Sequence, residues 1–375
     1  MRSFSSRLRK FLFLPFVFII VWSCSKDSDP ENPADSSSPV GFVTTPYVLN
    51  TGRFANPDIP ADNPLTVEGV RLGRMLFYEK KLSKDGSMSC ASCHRQENAF
   101  TDTNRFSVGI HGLPGSRQSM AVFNMAWNRD GFFWDGRAQR LRDQSLMPIG
   151  DSLELDEELD SVVAKLQSED IYRNQFMKAF GSTQVTSERM ALAMEQFMNS
   201  IVSVNSKYDQ YLNGTATLDT NEERGRVLFF AEFNPGFPSL SGADCQHCHS
   251  GLNFENGRYL NNGLDTDLQM QDEGRKKVTG QSRDLGLFKI TSLRNIELTP
   301  PYMHDGRFTT LEQVVDHYNS GLKSSSTLDP TLVYPLNNGG LRLSDEDKRD
   351  LVAFLKTLTD QDLTTNPEYS DPFKP

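Results

Sequence analysis

The chain has 375 residues, with 39 Lys plus Arg against 49 Asp plus Glu and only five Cys and six His. A formal charge of −10 argues against a nucleic-acid partner and permits docking of a basic redox protein, and the length allows two domains with a sizeable core in each. The 25 Phe suit large apolar cofactors, although they are equally ordinary core material.

In chain order, residues 1–24 predict an export signal: Arg2, Arg7, Arg9 and Lys10 precede an apolar run from Phe11 to Trp22 that is too short to span a bilayer comfortably. The run ends Val21-Trp22-Ser23-Cys24, which resembles the lipobox of bacterial lipoproteins and makes Cys24 the expected lipidated first residue of the mature chain. Trp22 departs from the small residue usual there, and cleavage near Ser23 to a soluble periplasmic protein is the alternative. Residues 25–45 are expected to form a disordered tether, whose Ser-, Asp- and Pro-rich stretch from Ser25 to Val40 reaches roughly 20 Å from the anchor. The start at Ser25-Lys26-Asp27 also resembles the acidic signal of surface-exposed lipoproteins, so the expected place is an outer-membrane anchor facing either the periplasm or the outside.

Thr66 can cap a helix that carries Glu68 and then Gly73-Arg74-Met75-Leu76-Phe77, and Thr220 introduces Glu223 and then Gly225-Arg226-Val227-Leu228-Phe229. Each run precedes a Cys-x-x-Cys-His pentapeptide, Cys90 to His94 and Cys245 to His249, by 90 − 73 = 17 and 245 − 225 = 20 residues. Further on, Trp134-Asp135-Gly136-Arg137 has Leu141 six residues after its Asp, and His304-Asp305-Gly306-Arg307 has Leu311 six after its own. This is the order of a duplicated unit.

Each pentapeptide reads as a c-type haem attachment site: Cys90 with Cys93, and Cys245 with Cys248, bond the haem vinyl groups, and His94 and His249 bind iron as proximal ligands. Zinc ribbons also use Cys-x-x-Cys pairs, but separate them by roughly 15–20 residues. Here the separation is 245 − 90 = 155. Zinc and redox dithiols stay as alternatives. With Cys24 lipidated, no cysteine remains for a disulfide.

Between the halves, 156–166, 168–180 and 185–203 carry apolar residues at helical spacing, and Met190, Met194 and Met198 there read as core rather than as iron ligands. A last helix is predicted from Ser344 to Leu358, with Leu351, Phe354, Leu355 and Leu358 on one face. No alternating strand series of any length appears. The expected fold is mainly α, with two cytochrome c-like haem domains and long ordered loops, divided as 46–203 and 204–375.

The matching order of these pieces resembles the bacterial dihaem cytochrome c peroxidase family, which includes the MauG-type enzymes. Besides the two haem motifs, the resemblance rests on Leu72-Gly73 through Phe77, Leu82-Ser83, Ser107 through Gly112, Phe133 through Arg137, Leu293-Arg294-Asn295 and Pro301 through Gly306. It runs from about Leu65 to Leu358.

The resemblance implies a peroxidatic N-terminal haem and an electron-entry C-terminal haem, coupled through Trp134. It implies Glu154 as the base that moves a proton between the peroxide oxygens, helped by Gln144, and His111 as a distal cap that leaves the first iron on activation. The alternative for His111 is a surface loop residue, and for Glu154 an acid in the first turn of the next helix. In the second half, the family's distal methionine position holds Tyr318, as in MauG-type members; Met303 and His317 are the alternatives. A structural calcium is implied through carbonyls of Thr299 and Pro301 and, where the family has Asn, Gln118, whose longer side chain departs from the pattern.

The leading function is therefore a cytochrome-c peroxidase reducing hydrogen peroxide to water with electrons from a periplasmic cytochrome c or cupredoxin. The second is a MauG-like oxidase acting through high-valent iron on a protein or small molecule. The third is an electron carrier or haem sensor without catalysis. Family members are often homodimers.

Overall fold

The computed structural model describes residues 40–374; the predicted export signal, Cys24 and the tether up to residue 39 lie outside the described residues. The first half contains α1 (Val67–Tyr78), α2 (Leu141–Gly150), α3 (Leu159–Gln167), α4 (Asp170–Phe180) and α5 (Ser187–Ser200). The second contains α6 (Lys207–Leu212), α7 (Thr220–Phe230), α8 (Lys276–Thr279), α9 (Leu311–Asp316), α10 (Pro330–Asn337) and α11 (Asp345–Lys356), and α12 (Gln361–Thr365) follows. Among the described residues the one sheet is a two-residue antiparallel pair, β1 (Tyr259–Leu260) with β2 (Phe288–Lys289). The chain is thus mainly helical with long ordered loops, as expected.

Sequence capping explains where the helices begin. Thr66 accepts from the Gly69 N–H at the start of α1, and Ser344 forms a reciprocal box with Asp347 at the start of α11. The second copy differs from expectation by one residue: Asp219 caps α7 and Thr220 is its first helical residue, because the Asp219 carboxylate reaches two backbone N–H groups while Glu222 returns a bond to Asp219. The predicted start of α3 at Asp156 also moves to Leu159, since Asp156 takes a left-handed φ of 45° that a helix cannot use.

Twelve-residue helices are marginal alone. What holds α1 is burial: Leu72, Leu76 and Phe77 are almost wholly enclosed, and each such side chain contributes roughly 1.5–3 kcal/mol. α1 crosses α5 at Gly73, where a Cβ would lie 1.9 Å from the Ala193 carbonyl oxygen. The same crossing recurs between α7 and α11, where a Cβ on Gly225 would lie 1.9 Å from the Asp350 carbonyl oxygen. The repeated Gly-Arg-x-Leu-Phe run therefore marks one helix crossing built twice.

Two apolar cores follow, one around Phe77, Phe100, Phe176 and Phe197, the other around Phe229, Phe254 and Phe354. The division at 203/204 has an exception, because Leu363 and Tyr369 belong to the first core. The tail is tied down there: Gln96 Nε2 donates to the Asn366 carbonyl (2.8 Å), Arg74 Nη1 to that of Glu368 (2.8 Å) and the Tyr78 hydroxyl to that of Tyr369 (2.7 Å). Among the described residues no helix is long and apolar enough to cross a membrane.

Candidate functional site

Each pentapeptide begins as a single tight helical turn, Cys90–Ser92 or Cys245–His247, and opens on its own cavity. The cavities are alike in size, about 260 and 240 Å³, so neither half dominates. In the first, His94 Nδ1 lies 3.0 Å from the Phe100 carbonyl, and in the second His249 Nδ1 lies 3.0 Å from that of Phe254. That bond places the imidazole proton on Nδ1 and leaves Nε2 free for a metal. Burial holds both imidazoles neutral, lowering His94 below its usual value and His249 to about 4.

The first cavity brings together Cys93, His94, Gln144 and Glu154, along with Phe133, Arg137 and Pro148. Burial, with a smaller contribution from the Asp151 charge, raises the Glu154 carboxyl to about 7, although Arg137 opposes the shift. Glu154 lies in the turn between α2 and α3 and not in the first turn of α3. An open vestibule of about 600 Å³ shares Phe133, Arg137, Pro148, Asp151 and Glu154 with this cavity, so Glu154 is reachable from solvent. Arg137, the last residue of the Trp-Asp-Gly-Arg run, has its guanidinium over the Phe133 ring at 3.5 Å and pairs with Asp135 at 3.2 Å.

His111 is not brought to this cavity. Its Nε2 lies 2.9 Å from Asp156 Oδ2, which Lys84 Nζ also approaches to 3.0 Å, and its side chain is 48% exposed. The loop is strapped to the Glu154 turn, where the Ile110 N–H donates to the Glu154 carbonyl at 3.0 Å.

The second cavity is lined by Cys245, Cys248 and His249 and also by Tyr318 and Met303. α9 runs into a wider π-helical turn over His317–Gly321, which carries Tyr318. Burial raises the Tyr318 hydroxyl above its usual value, partly opposed by a hydrogen bond with the Asn262 side chain. Asn262 also donates to Met303 Sδ at 3.3 Å, and its carbonyl lies 2.9 Å from His317 Nε2. His317 is thereby turned away from the cavity lining. Asn262, which organises all three, has no motif signal in the sequence.

A common wall separates the two cavities, with Gln118, Met120, Phe123 and Lys289 facing both. Trp134 sits on the second cavity's side, its Nε1 donating to the Gln118 carbonyl at 2.8 Å, its ring 6.5 Å edge-on from His304. His304 in turn stacks on Phe288 at 3.6 Å. The three residues expected at a calcium, Gln118, Thr299 and Pro301, all line the second cavity. The Gln118 amide nitrogen donates to Thr101 Oγ1 at 3.0 Å.

Two thiols and an imidazole with a free nitrogen, set in one turn beside a mostly apolar cavity, fit a covalently attached haem. They fit a redox dithiol poorly. Burial drives the Cys90 and Cys245 thiols up to about 12 and Cys248 to about 11, whereas a reactive dithiol needs a lowered value. Zinc fits no better, since among the described residues no three His, Cys, Asp or Glu side chains converge as its ligands would.

Residues 67–217 match the family model of the di-haem cytochrome c peroxidases. The chain is 32% identical to the methylamine utilization protein MauG of Methylophilus methylotrophus, over 84% of this chain and 93% of that one. It is 35% identical to the cytochrome c551 peroxidase of Nitrosomonas europaea, over 80% and 83%. Among solved structures, a MauG-like protein associated with microbial copper homeostasis superposes with a TM-score of 0.78 at 33% identity, covering 86% of this chain and 97% of that one. With both motifs facing matched cavities across one wall, the chain belongs to the dihaem cytochrome c peroxidase and MauG family of oxidoreductases, which carry two c-type haems.

Proposed function

We infer that this protein is an exported dihaem cytochrome c peroxidase, reducing hydrogen peroxide at the N-terminal site with electrons that enter at the C-terminal site. The observation that carries the reading is Glu154: an acid titrating at about 7, inside the cavity that holds His94 and open to solvent through the vestibule. Such a value suits a group that must both accept and release a proton near neutral pH. Cys90, Cys93 and His94 would hold one haem and Cys245, Cys248 and His249 the other, supplying iron coordination and redox chemistry to the reaction.

The chain's own residues do the rest. Glu154 takes a proton from one peroxide oxygen and delivers it to the departing one, Gln144 orients the same oxygens, and Arg137 with Phe133 shapes the entrance. The balance is one peroxide, two electrons and two protons giving two waters. Trp134, on the wall between the cavities, is the proposed electron path, and a small redox protein the proposed donor. Each half carries one haem, 46–203 and 204–375, with the tail returning to the first. Gln118, Thr299 and Pro301 are the proposed calcium position, and Cys24 the proposed lipid anchor.

A second reading, a MauG-like oxidase of a protein or small molecule, is favoured by Tyr318. It lines the second cavity where a methionine would favour reduction by a small cytochrome. Stopped-flow mixing of oxidised and half-reduced holoprotein with hydrogen peroxide separates the two. Fast reaction of the half-reduced form alone, followed by catalytic oxidation of a reduced cytochrome, supports the peroxidase. Immediate reaction of the oxidised form with poor cytochrome turnover selects the oxidase. No fast reaction of either form leaves a carrier or sensor.

A further inference from the structure

The wall between the cavities contains a cation that neither reading uses. Lys289 on β2 is 5% exposed, yet it lines both cavities. Its ammonium donates to Asn128 Oδ1 at 2.9 Å, and no carboxylate of the described residues lies within 4 Å of it. The Tyr259 ring, at 5.6 Å, offers a weak further contact. Glu255 and Asp130 are the nearest acids, felt by Lys289 only at longer range. Glu255 lines the first cavity and is engaged by Asn253 Nδ2 at 2.7 Å, and burial drives its own carboxyl toward the neutral form.

A buried ammonium served by one amide oxygen is costly, and such cations are paired wherever an anion is available. The cavities supply one. A haem c has two propionate side chains, and these are its only charged peripheral groups. Asn128 lines the first cavity and not the second, so the ammonium is held on the N-terminal side of the wall. At the other end of the same residue, the Lys289 backbone N–H donates to the Trp134 carbonyl at 2.8 Å.

We propose that Lys289 is the anchor for a propionate carboxylate of the N-terminal haem, and that it ties this haem to the backbone of Trp134. The assignment rests on the family's two haems and not on what the protein does with peroxide, so it stands under either reading of the function. A fixed cation beside the macrocycle favours the reduced iron, which carries one positive charge less than the oxidised iron. Lys289 therefore raises the potential of the N-terminal haem relative to an otherwise equal site.

The test is potentiometric titration of the holoprotein, following each haem optically, with no turnover required. Lys289→Met should shift the reduction equilibrium of the N-terminal haem at least ~tenfold toward the oxidised form, ~59 mV for one electron, while the C-terminal haem moves far less. Lys289→Arg, which keeps the charge, should restore the parent value. Equal potentials in parent and Lys289→Met overturn the proposal, as does a shift confined to the C-terminal haem. A parent potential that moves with added chloride or phosphate would put an exchangeable anion on Lys289 instead and also overturn it. If Lys289→Met fails to assemble, resonance Raman spectra of the unsubstituted protein decide: the propionate bending band of the N-terminal haem should lie at its hydrogen-bonded position, and a free-carboxylate band refutes the anchor.

Discussion

The two halves repeat a single turn and part company seven residues after the start of the helix that follows it. In the first, the Phe132 N–H donates to the Ala138 carbonyl at 2.8 Å, and Phe133 has a φ of 65°; in the second, the Tyr302 N–H donates to that of Phe308 at 2.7 Å, and Met303 has a φ of 73°. Each turn then leads into a helix beginning at a buried leucine, Leu141 or Leu311. Seven residues on, 148 − 141 and 318 − 311, stand Pro148 and Tyr318, each lining its own cavity. Proline offers no ligand, and a tyrosine offers a phenolic oxygen. The first site is left to a movable proton on Glu154, while the second has a side chain able to occupy it. On a duplicated scaffold, one position separates a site that can admit a small molecule from one that can close.

The comparison breaks most visibly at Glu154. Glu154→Gln should slow peroxide consumption by ~10²–10⁴-fold in stopped flow while leaving both haem spectra in place. An unchanged rate would remove the proposed role. Next come the paired crossings: Gly73→Ala and Gly225→Ala should each lower stability by about 1–3 kcal/mol or more, read from thermal melts, because backbone must move to admit the methyl. Markedly unequal losses would show that the two crossings are not equivalent.

A subtler contrast is in pH. The Glu154 carboxyl titrates at about 7 when folded against an ordinary 4.5, so the folded state favours its proton. The resulting stability is fully present below pH ~4.5 and lost as pH rises through ~7, on the order of 2–3 kcal/mol. Parent-minus-Glu154→Gln melting curves across that range should show the decline, and a flat difference would contradict it. Last, Tyr318→Phe should alter the optical spectrum of the C-terminal haem alone and raise its potential; spectra identical to the parent's would take Tyr318 off the iron.

Much of this was legible in the sequence because it rests on short-range chemistry. The attachment turns, the Thr66 and Ser344 caps and the Gly73 and Gly225 runs are local patterns, and they appear where the spacing puts them. Gln144 and Glu154, ten positions apart, meet in one cavity because α2 and the turn after it set their separation. What depends on distant partners was not legible. His111 is held outside by Asp156 and Lys84, neither marked by any motif. Which of Tyr318 and His317 faces the cavity is set by Asn262, more than fifty residues away in sequence. Lys289 is a lone lysine, which carries no signal in the sequence until its burial is known.

The strap formed by the tail also bears on how the molecule matures. Leu363 and Tyr369 complete the first core although nearly all of the chain precedes them in synthesis. A chain folding from its N-terminus therefore holds the first core open along that flank until the tail arrives. Docking of the tail is then a late closing step, which makes completion of the first half wait on the end of the second.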